Sequence, residues 1–153
     1  MRIGFQVAIE APAERIWRYV GMPENWLAWS PELHLMDCPG GFDPEKPVGA
    51  KVRQILRGRG GALQRQGEIT AYEPCRLFAM RLSGRGLVHD IELQLGPIGT
   101  GTFVAYDEVS NLSGWSPKVM ALLRQPVELR RLSHRMARLK QLSEDAASAA
   151  SAR

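Results

Sequence analysis

Residues 76–110, RLFAMRLSGRGLVHDIELQLGPIGTGTFVAYDEVS, decide the fold. Apolar and polar residues alternate along three runs within it, 76–83, 87–95 and 102–110. A period of two sends successive side chains to opposite faces of a strand. Ser83-Gly84-Arg85-Gly86 reads as a two-residue hairpin with Gly84 at its first central position, and Gly96-Pro97 to Gly101 as a longer loop. Strands joined by such short connections lie antiparallel.

The pattern continues upstream. Runs 48–57 and 63–73 alternate in the same way, divided by Gly58-Arg59-Gly60-Gly61, and Glu73-Pro74-Cys75 leads into the next strand; a weaker strand lies near 32–38. At the start, RIGFQVAIE places Ile3, Phe5, Val7 and Ile9 on one face of a half-buried strand. Pro12 suits the first turn of a helix whose apolar stripe is Ile16, Trp17 and Val20, and Gly21 ends it. PENWLAWSP, Pro23 to Pro31, reads as a second short helix. From Trp115 to about Leu142 the period turns helical, with Leu122, Leu129, Leu132, Met136, Leu139 and Leu142 on one stripe. The remainder, SEDAASAASAR, is small and polar and is expected to be a flexible tail.

The fold class is therefore α+β: a curved antiparallel sheet of about seven strands, two short helices after the first, and one long C-terminal helix. Residues 1–143 form a single domain and 144–153 the tail. The apolar face of the sheet needs a cover, and the long amphipathic helix is the element large enough to provide it. A gap between the two is a pocket.

Bulk properties narrow the function. The 153 residues suit one domain with a sizeable core. No apolar run is long enough to span a membrane, and the N-terminus has no signal-peptide pattern, so a cytoplasmic protein is expected. Cys38 and Cys75 lie far apart without metal-ligand spacing; they read as reduced thiols, with no metal and no cofactor implied. A net charge of +4 permits an acidic ligand or surface but does not imply nucleic acid.

The phrases VAIEAPAERIWRYVGMPENWLAWSPEL, GEITAYEPCRLFAMRL, GTGTFVAYDE and LRRLSHRMARLKQLSE give the chain its resemblance to a known group. Together with the element order they resemble the START-related helix-grip superfamily (SRPBCC), which takes in Bet v 1-like proteins, polyketide cyclases/dehydratases and coenzyme Q-binding proteins. The likeness covers roughly residues 3–142. It implies a deep pocket between sheet and C-terminal helix, but no particular reaction, since members bind lipids, polyketides, hormones or quinones.

Hairpin register identifies what faces that pocket. Counting from the Gly84-Arg85 turn sets Leu82 opposite Leu87, Met80 opposite His89 and Phe78 opposite Ile91. Across the neighbouring turns, Ala71 lies by Phe78, Ile69 by Met80, Leu56 by Leu63, Gln54 by Arg65 and Val52 by Gly67. On the other side, Leu95 meets Thr102, Leu93 meets Val104, Ile91 meets Tyr106 and His89 meets Glu108. One parity satisfies every hairpin and keeps the apolar residues together. The polar members of the inward face are Gln54, Arg65, His89, Tyr106 and Glu108, and buried polar groups are costly unless paired. Glu108 can hold His89 in one tautomer or stabilise its cation, and Arg65 can bind a ligand carboxylate or pair with Glu108. His89, Glu108 and Tyr106 are the candidates for acid–base work, though no catalytic residue is assigned. The candidate ligand-binding set is Trp26, Trp29, Gln54, Arg65, Phe78, Met80, His89, Ile91, Tyr106 and Glu108.

Trp26 and Trp29, three apart, share a helix face. They either wall the pocket or plug the core beside Trp17. On the long helix, Arg124, Arg131, Arg135 and Arg138 form a basic side that reads as a solvated face, with peripheral membrane contact as its functional alternative. Pro126 should kink or restart this helix, letting 113–125 gate the pocket. The leading function is binding or carriage of a small hydrophobic ligand (lipid, polyketide or quinone-like) by a monomer or homodimer. A polyketide cyclase/dehydratase-type enzyme is the first alternative, and a module that docks a partner protein or membrane surface the second.

Overall fold

The computed structural model describes residues 1–58, 60–112 and 117–151. Its strands are β1 (Arg2–Ile9), β2 (Leu33–Asp37), β3 (Lys51–Gly58), β4 (Gly61–Glu73), β5 (Leu77–Gly84), β6 (Leu87–Ile98) and β7 (Gly101–Leu112). They make one seven-stranded antiparallel sheet in the order β1-β7-β6-β5-β4-β3-β2. Helix α1 (Ala13–Val20) and a 3₁₀ helix (Pro23–Ala28) stand between β1 and β2, and α2 (Pro117–Ser151) follows β7. The sheet curls around α2 as a half-barrel, the helix-grip arrangement. The chain's first and last strands are neighbours, with Phe5 opposite Tyr106 and Val7 opposite Val104.

Two local features let β4 bend. A side chain at Gly67 would stand 1.8 Å from the Arg81 carbonyl oxygen, so the strands approach there only because residue 67 has none. A bulge between Ile69 and Ala71 then adds one residue and increases the twist.

The β3–β4 register is as predicted: Leu56 meets Leu63, Gln54 meets Arg65 and Val52 meets Gly67. Elsewhere the structure corrects it. In the β5–β6 hairpin the central residues are Arg85 (φ 50) and Gly86 (φ 75), not Gly84 and Arg85. Two left-handed residues make this a type I′ turn, whose twist suits the flanking strands. Gly84 pairs with Leu87, so Leu82 meets His89, Met80 meets Ile91 and Phe78 meets Leu93. The β6–β7 connection is likewise tighter than predicted, with Ile98 paired to Gly101. There Leu95 meets Val104, Leu93 meets Tyr106, Ile91 meets Glu108 and His89 meets Ser110. Each slip is two residues, an even number, so no side chain changes face. Only the β4 bulge alters a face: Ile69 meets Met80 as expected, but beyond it Ala71 meets Ala79, and Tyr72 takes the place beside Phe78.

The resulting inner face has an apolar body, with Ile69, Phe78, Met80, Leu82, Ile91, Leu93, Leu95 and Val104 buried. Ile16 and Val20 of α1 and Leu132, Met136 and Leu139 of α2 close over it. Leu142 is half-buried, whereas Leu129, although on the same stripe, is 39% exposed. Trp17 is only partly buried, its ring edge-on to Tyr72 at 5.3 Å.

The α2 backbone is helical through Pro126 and onward to Ser151, beyond the predicted start of a tail at residue 144. Glu144 is tied down: its carboxylate accepts the Glu10 backbone N–H at 3.0 Å and pairs with Lys140. The segment 113–125, expected to gate the interior, lies outside the described residues apart from the helical backbone of 117–125, as do the side chains of Leu122 and Arg124.

Candidate functional site

All five polar residues that the alternation turns inward lie on the concave face, and three of them join one hydrogen-bonded chain. His89, Tyr106 and Glu108 are buried, with 4%, 1% and 7% of their surface exposed. Strand parity puts them there, since residues 106, 108 and 110 of β7 and 89 of β6 project from the same side of the sheet. His89 Nδ1 lies 2.9 Å from Glu108 Oε1 and 2.9 Å from Ser110 Oγ. The Tyr106 hydroxyl donates to Glu108 Oε2 at 2.8 Å. Arg135 of α2 donates to that hydroxyl through Nη1 at 3.2 Å, stacks its guanidinium 5.6 Å from the Tyr106 ring centroid, and pairs through Nε with Glu32. A continuous polar line thus runs from Ser110 through His89, Glu108, Tyr106 and Arg135 to Glu32, crossing from sheet to helix.

Electrostatics fix the protonation of most members. Burial alone would raise the Glu108 pKa. The hydrogen bond from His89 and the positive charges of Arg135 and Arg65 more than offset that, lowering it from 4.5 to about 2. Glu108 is therefore a carboxylate, and the His89 nitrogen facing it must carry a proton and donate. Burial and the Glu108 charge push the Tyr106 phenol far above its usual range, so it remains a neutral donor. Burial disfavours the Arg135 guanidinium, but Tyr106, Glu32 and Glu108 around it outweigh that and hold it charged.

With Nδ1–H engaged, Nε2 is the ring nitrogen left for a further partner, an acceptor in the neutral imidazole. His89 Nε2 is buried and has no hydrogen-bond partner, and neither has the buried Nε of Arg65. Among the described residues, no carboxylate lies within ion-pair distance of Arg65, although its charge is felt at Glu108 and Tyr106. Buried polar atoms without partners are rare in folded proteins and call for an explanation such as water, an ion or a ligand; Ser30 Oγ and Ser143 Oγ are in the same state. The arrangement is not a hydrolytic triad. Glu108 and Ser110 crowd the same His89 nitrogen, so Ser110 does not sit across the ring as a nucleophile would.

The other predicted residues take different parts. Gln54 is buried beside Met36, its amide 3.5 Å from the sulfur. Phe78, Met80 and Ile91 form the apolar wall around the polar line. Trp26 and Trp29 are 1% and 0% exposed, as deeply buried as Phe78 and Met80. A 3₁₀ helix has three residues per turn, so the two indoles stand in register, with centroids 4.7 Å apart and Trp26 against Phe78 at 5.3 Å. Their N–H groups donate to the Val20 carbonyl at 2.8 Å and the Tyr19 carbonyl at 3.0 Å, locking the 3₁₀ helix to the end of α1.

Three members of the line escaped the sequence reading. Ser110 was within reach of it, two residues past Glu108 on the same face. Arg135 was assigned to the solvated basic side, but it sits one position before the buried Met136 and turns inward, with only 13% of its side chain exposed. Arg131 and Arg138 are exposed, as expected of that side. Glu32 lies between the 3₁₀ helix and β2 and carries no periodic signal. Among the described residues no cluster of His, Cys, Asp and Glu could hold a metal, and no helix is long and apolar enough to cross a membrane. Cys38 and Cys75 are free thiols, raised in pKa chiefly by burial.

Comparison with solved structures returns the same architecture. A protein from Deinococcus radiodurans matches with a TM-score of 0.71 at 17% identity, over 95% of this chain and 98% of its own. A START superfamily protein from Mycobacterium smegmatis matches with a TM-score of 0.69 at 19% identity, over 92% of this chain and 98% of its own. The di-domain ARO/CYC StfQ from the steffimycin biosynthetic pathway matches with a TM-score of 0.74 at 9% identity, over 96% of this chain and 52% of its own. Comparison with curated proteins returns no match. The family model described as polyketide cyclase/dehydrase and lipid transport matches residues 2–144, the whole sheet and most of α2, and the chain belongs to that family.

Proposed function

We propose that the protein binds and carries a small hydrophobic molecule of the lipid, polyketide or quinone kind between the concave face of its sheet and α2. The observation that carries this reading is the unpartnered His89 Nε2 in a wall otherwise built of Phe78, Met80, Leu82, Ile91 and Leu93. Ligand sites are characteristically apolar walls with a few convergent polar groups. The family's description, which pairs cyclase/dehydrase chemistry with lipid transport, supports the same reading. Phe78, Met80 and Ile91 would meet the ligand's apolar body, with Gln54, Arg65, His89, Tyr106 and Glu108 at its polar end and Trp26 and Trp29 backing the wall.

One observation favours a second reading, a cyclase/dehydratase-type enzyme. Glu108 fixes the His89 ring with Nε2 free, which is the orientation of a general base. The two readings separate in a single experiment. The neutral probe N-phenyl-1-naphthylamine should bind saturably at micromolar concentration with enhanced emission. If His89 is the base, His89→Asn should change the affinity of a cyclisable polyketide-like substrate only a few-fold; if it only orients a ligand, the same change should weaken binding by about 1–3 kcal/mol. Turnover that then falls by a factor on the order of 100 makes the protein an enzyme; no turnover in either form leaves a carrier. Absence of saturable probe binding up to solubility would remove both readings.

A further inference from the structure

Arg65 and His89 stand in adjacent cross-strand rows of the inner face. The first row runs Gln54, Arg65 and then Gly84, whose missing side chain leaves Arg65 room: a Cβ there would lie 3.3 Å from the Arg65 Cγ. The next row runs Gly67, Leu82, His89 and Ser110. Each of the two rows holds an orphan, a donor at Arg65 Nε and, in the neutral imidazole, an acceptor at His89 Nε2. We infer that this pair is a headgroup site for a carboxylic acid, which enters with its proton, gives it to His89 Nε2 and stays as a carboxylate between the imidazolium and Arg65. The inference rests on the carriage reading and names the chemical class of its ligand.

The charges of the cluster argue for an acid that brings its own proton. His89 is held by Glu108 and Ser110 of β7, Glu108 by Tyr106, and Arg135 of α2 and Glu32 complete the line, with the charge of Arg65 of β4 felt at Glu108 and Tyr106. Two carboxylates, Glu32 and Glu108, balance two guanidiniums, Arg65 and Arg135. A bare anion would leave one uncompensated negative charge in a buried site, which is costly. If the acid's O–H bond breaks and an Nε2–H bond forms, carboxylate and imidazolium appear together and the net charge is unchanged. Glu108 on Nδ1 then stabilises the cation, and the carboxylate gains charge-assisted bonds from Nε2–H and Arg65 Nε–H. An alcohol or ester headgroup can neither supply that proton nor take up the charge of Arg65.

The test compares cis-parinaric acid with its methyl ester, two fluorescent probes with one apolar body. The acid should bind at least tenfold more tightly than the ester. At pH 8, where an ordinary histidine is neutral and the free acid ionised, its binding should take up about one proton, read by titration calorimetry in buffers of different ionisation enthalpy. The ester should take up none. Arg65→Met should abolish the preference, so that acid and ester bind the variant equally. Equal affinities, a preference that survives Arg65→Met, or acid binding without proton uptake would each overturn the headgroup site while leaving carriage intact. Failure of both probes to bind would overturn carriage as well.

Discussion

Replacing Glu108 with alanine is expected to cost about 3–5 kcal/mol of folding free energy, because it strips a buried cluster of its central anion. The Tyr106 hydroxyl, His89 Nδ1–H and the Arg135 charge would all lose their common partner. Urea unfolding would read this as a lower midpoint at unchanged slope. Glu108→Gln is the gentler companion, keeping an acceptor for His89 but not the charge. It also isolates a pH effect. The Glu108 pKa falls from 4.5 to about 2 on folding, so its contribution is complete above pH 4.5 and fades as the pH drops toward 2. That contribution is about 3 kcal/mol. The unaltered protein should lose stability across this interval more steeply than Glu108→Gln. Parallel curves would mean that Glu108 is not held ionised by its neighbours.

The second large effect lies on the helix side. Arg135→Met is expected to cost about 2–4 kcal/mol, by leaving Glu32 and the Tyr106 hydroxyl without their cation in a largely water-excluded site. Combining it with Glu32→Gln should cost clearly less than the sum of the single changes, since the two residues share one interaction. A cost under about 0.5 kcal/mol would place the pair with ordinary surface ion pairs and remove the link between sheet and α2 from the account.

Much of this site could be read from the sequence because strand parity is robust. The β5–β6 and β6–β7 registers were each off by two residues, yet His89, Tyr106 and Glu108 still emerged on one face. The turn is displaced because Arg85, a non-glycine residue, takes a left-handed conformation for which Gly84 is the better-suited residue. His89 and Glu108 are consequently diagonal neighbours, and the side chains close the remaining distance to 2.9 Å. A bulge is harder to see. Nothing in ITAYE announces the extra residue that brings Tyr72 rather than Ala71 to Phe78. Arg135 was misjudged because helical period alone favours a solvated arginine, and its partners Glu32 and Tyr106 are 103 and 29 residues away. Ser110 needed only the same parity argument carried one step further. The tryptophans were undecided in the sequence because a shared helix face does not say what it faces. Their N–H groups go to the carbonyls of Val20 and Tyr19, ties to the end of α1 that no periodicity encodes.

The central claim is that a hydrophobic ligand enters between sheet and helix and meets the polar line at His89. It is tested most directly by nitrogen-15 NMR of the histidine side chains during titration with N-phenyl-1-naphthylamine. The chain has three histidines, and His34 and His134 are exposed, so they serve as internal controls. The account predicts that the His89 ring resonances shift or broaden in proportion to probe bound, while those of His34 and His134 stay in place. Saturable binding that leaves His89 unmoved, or that moves the exposed histidines instead, would place the ligand outside the grip and contradict it.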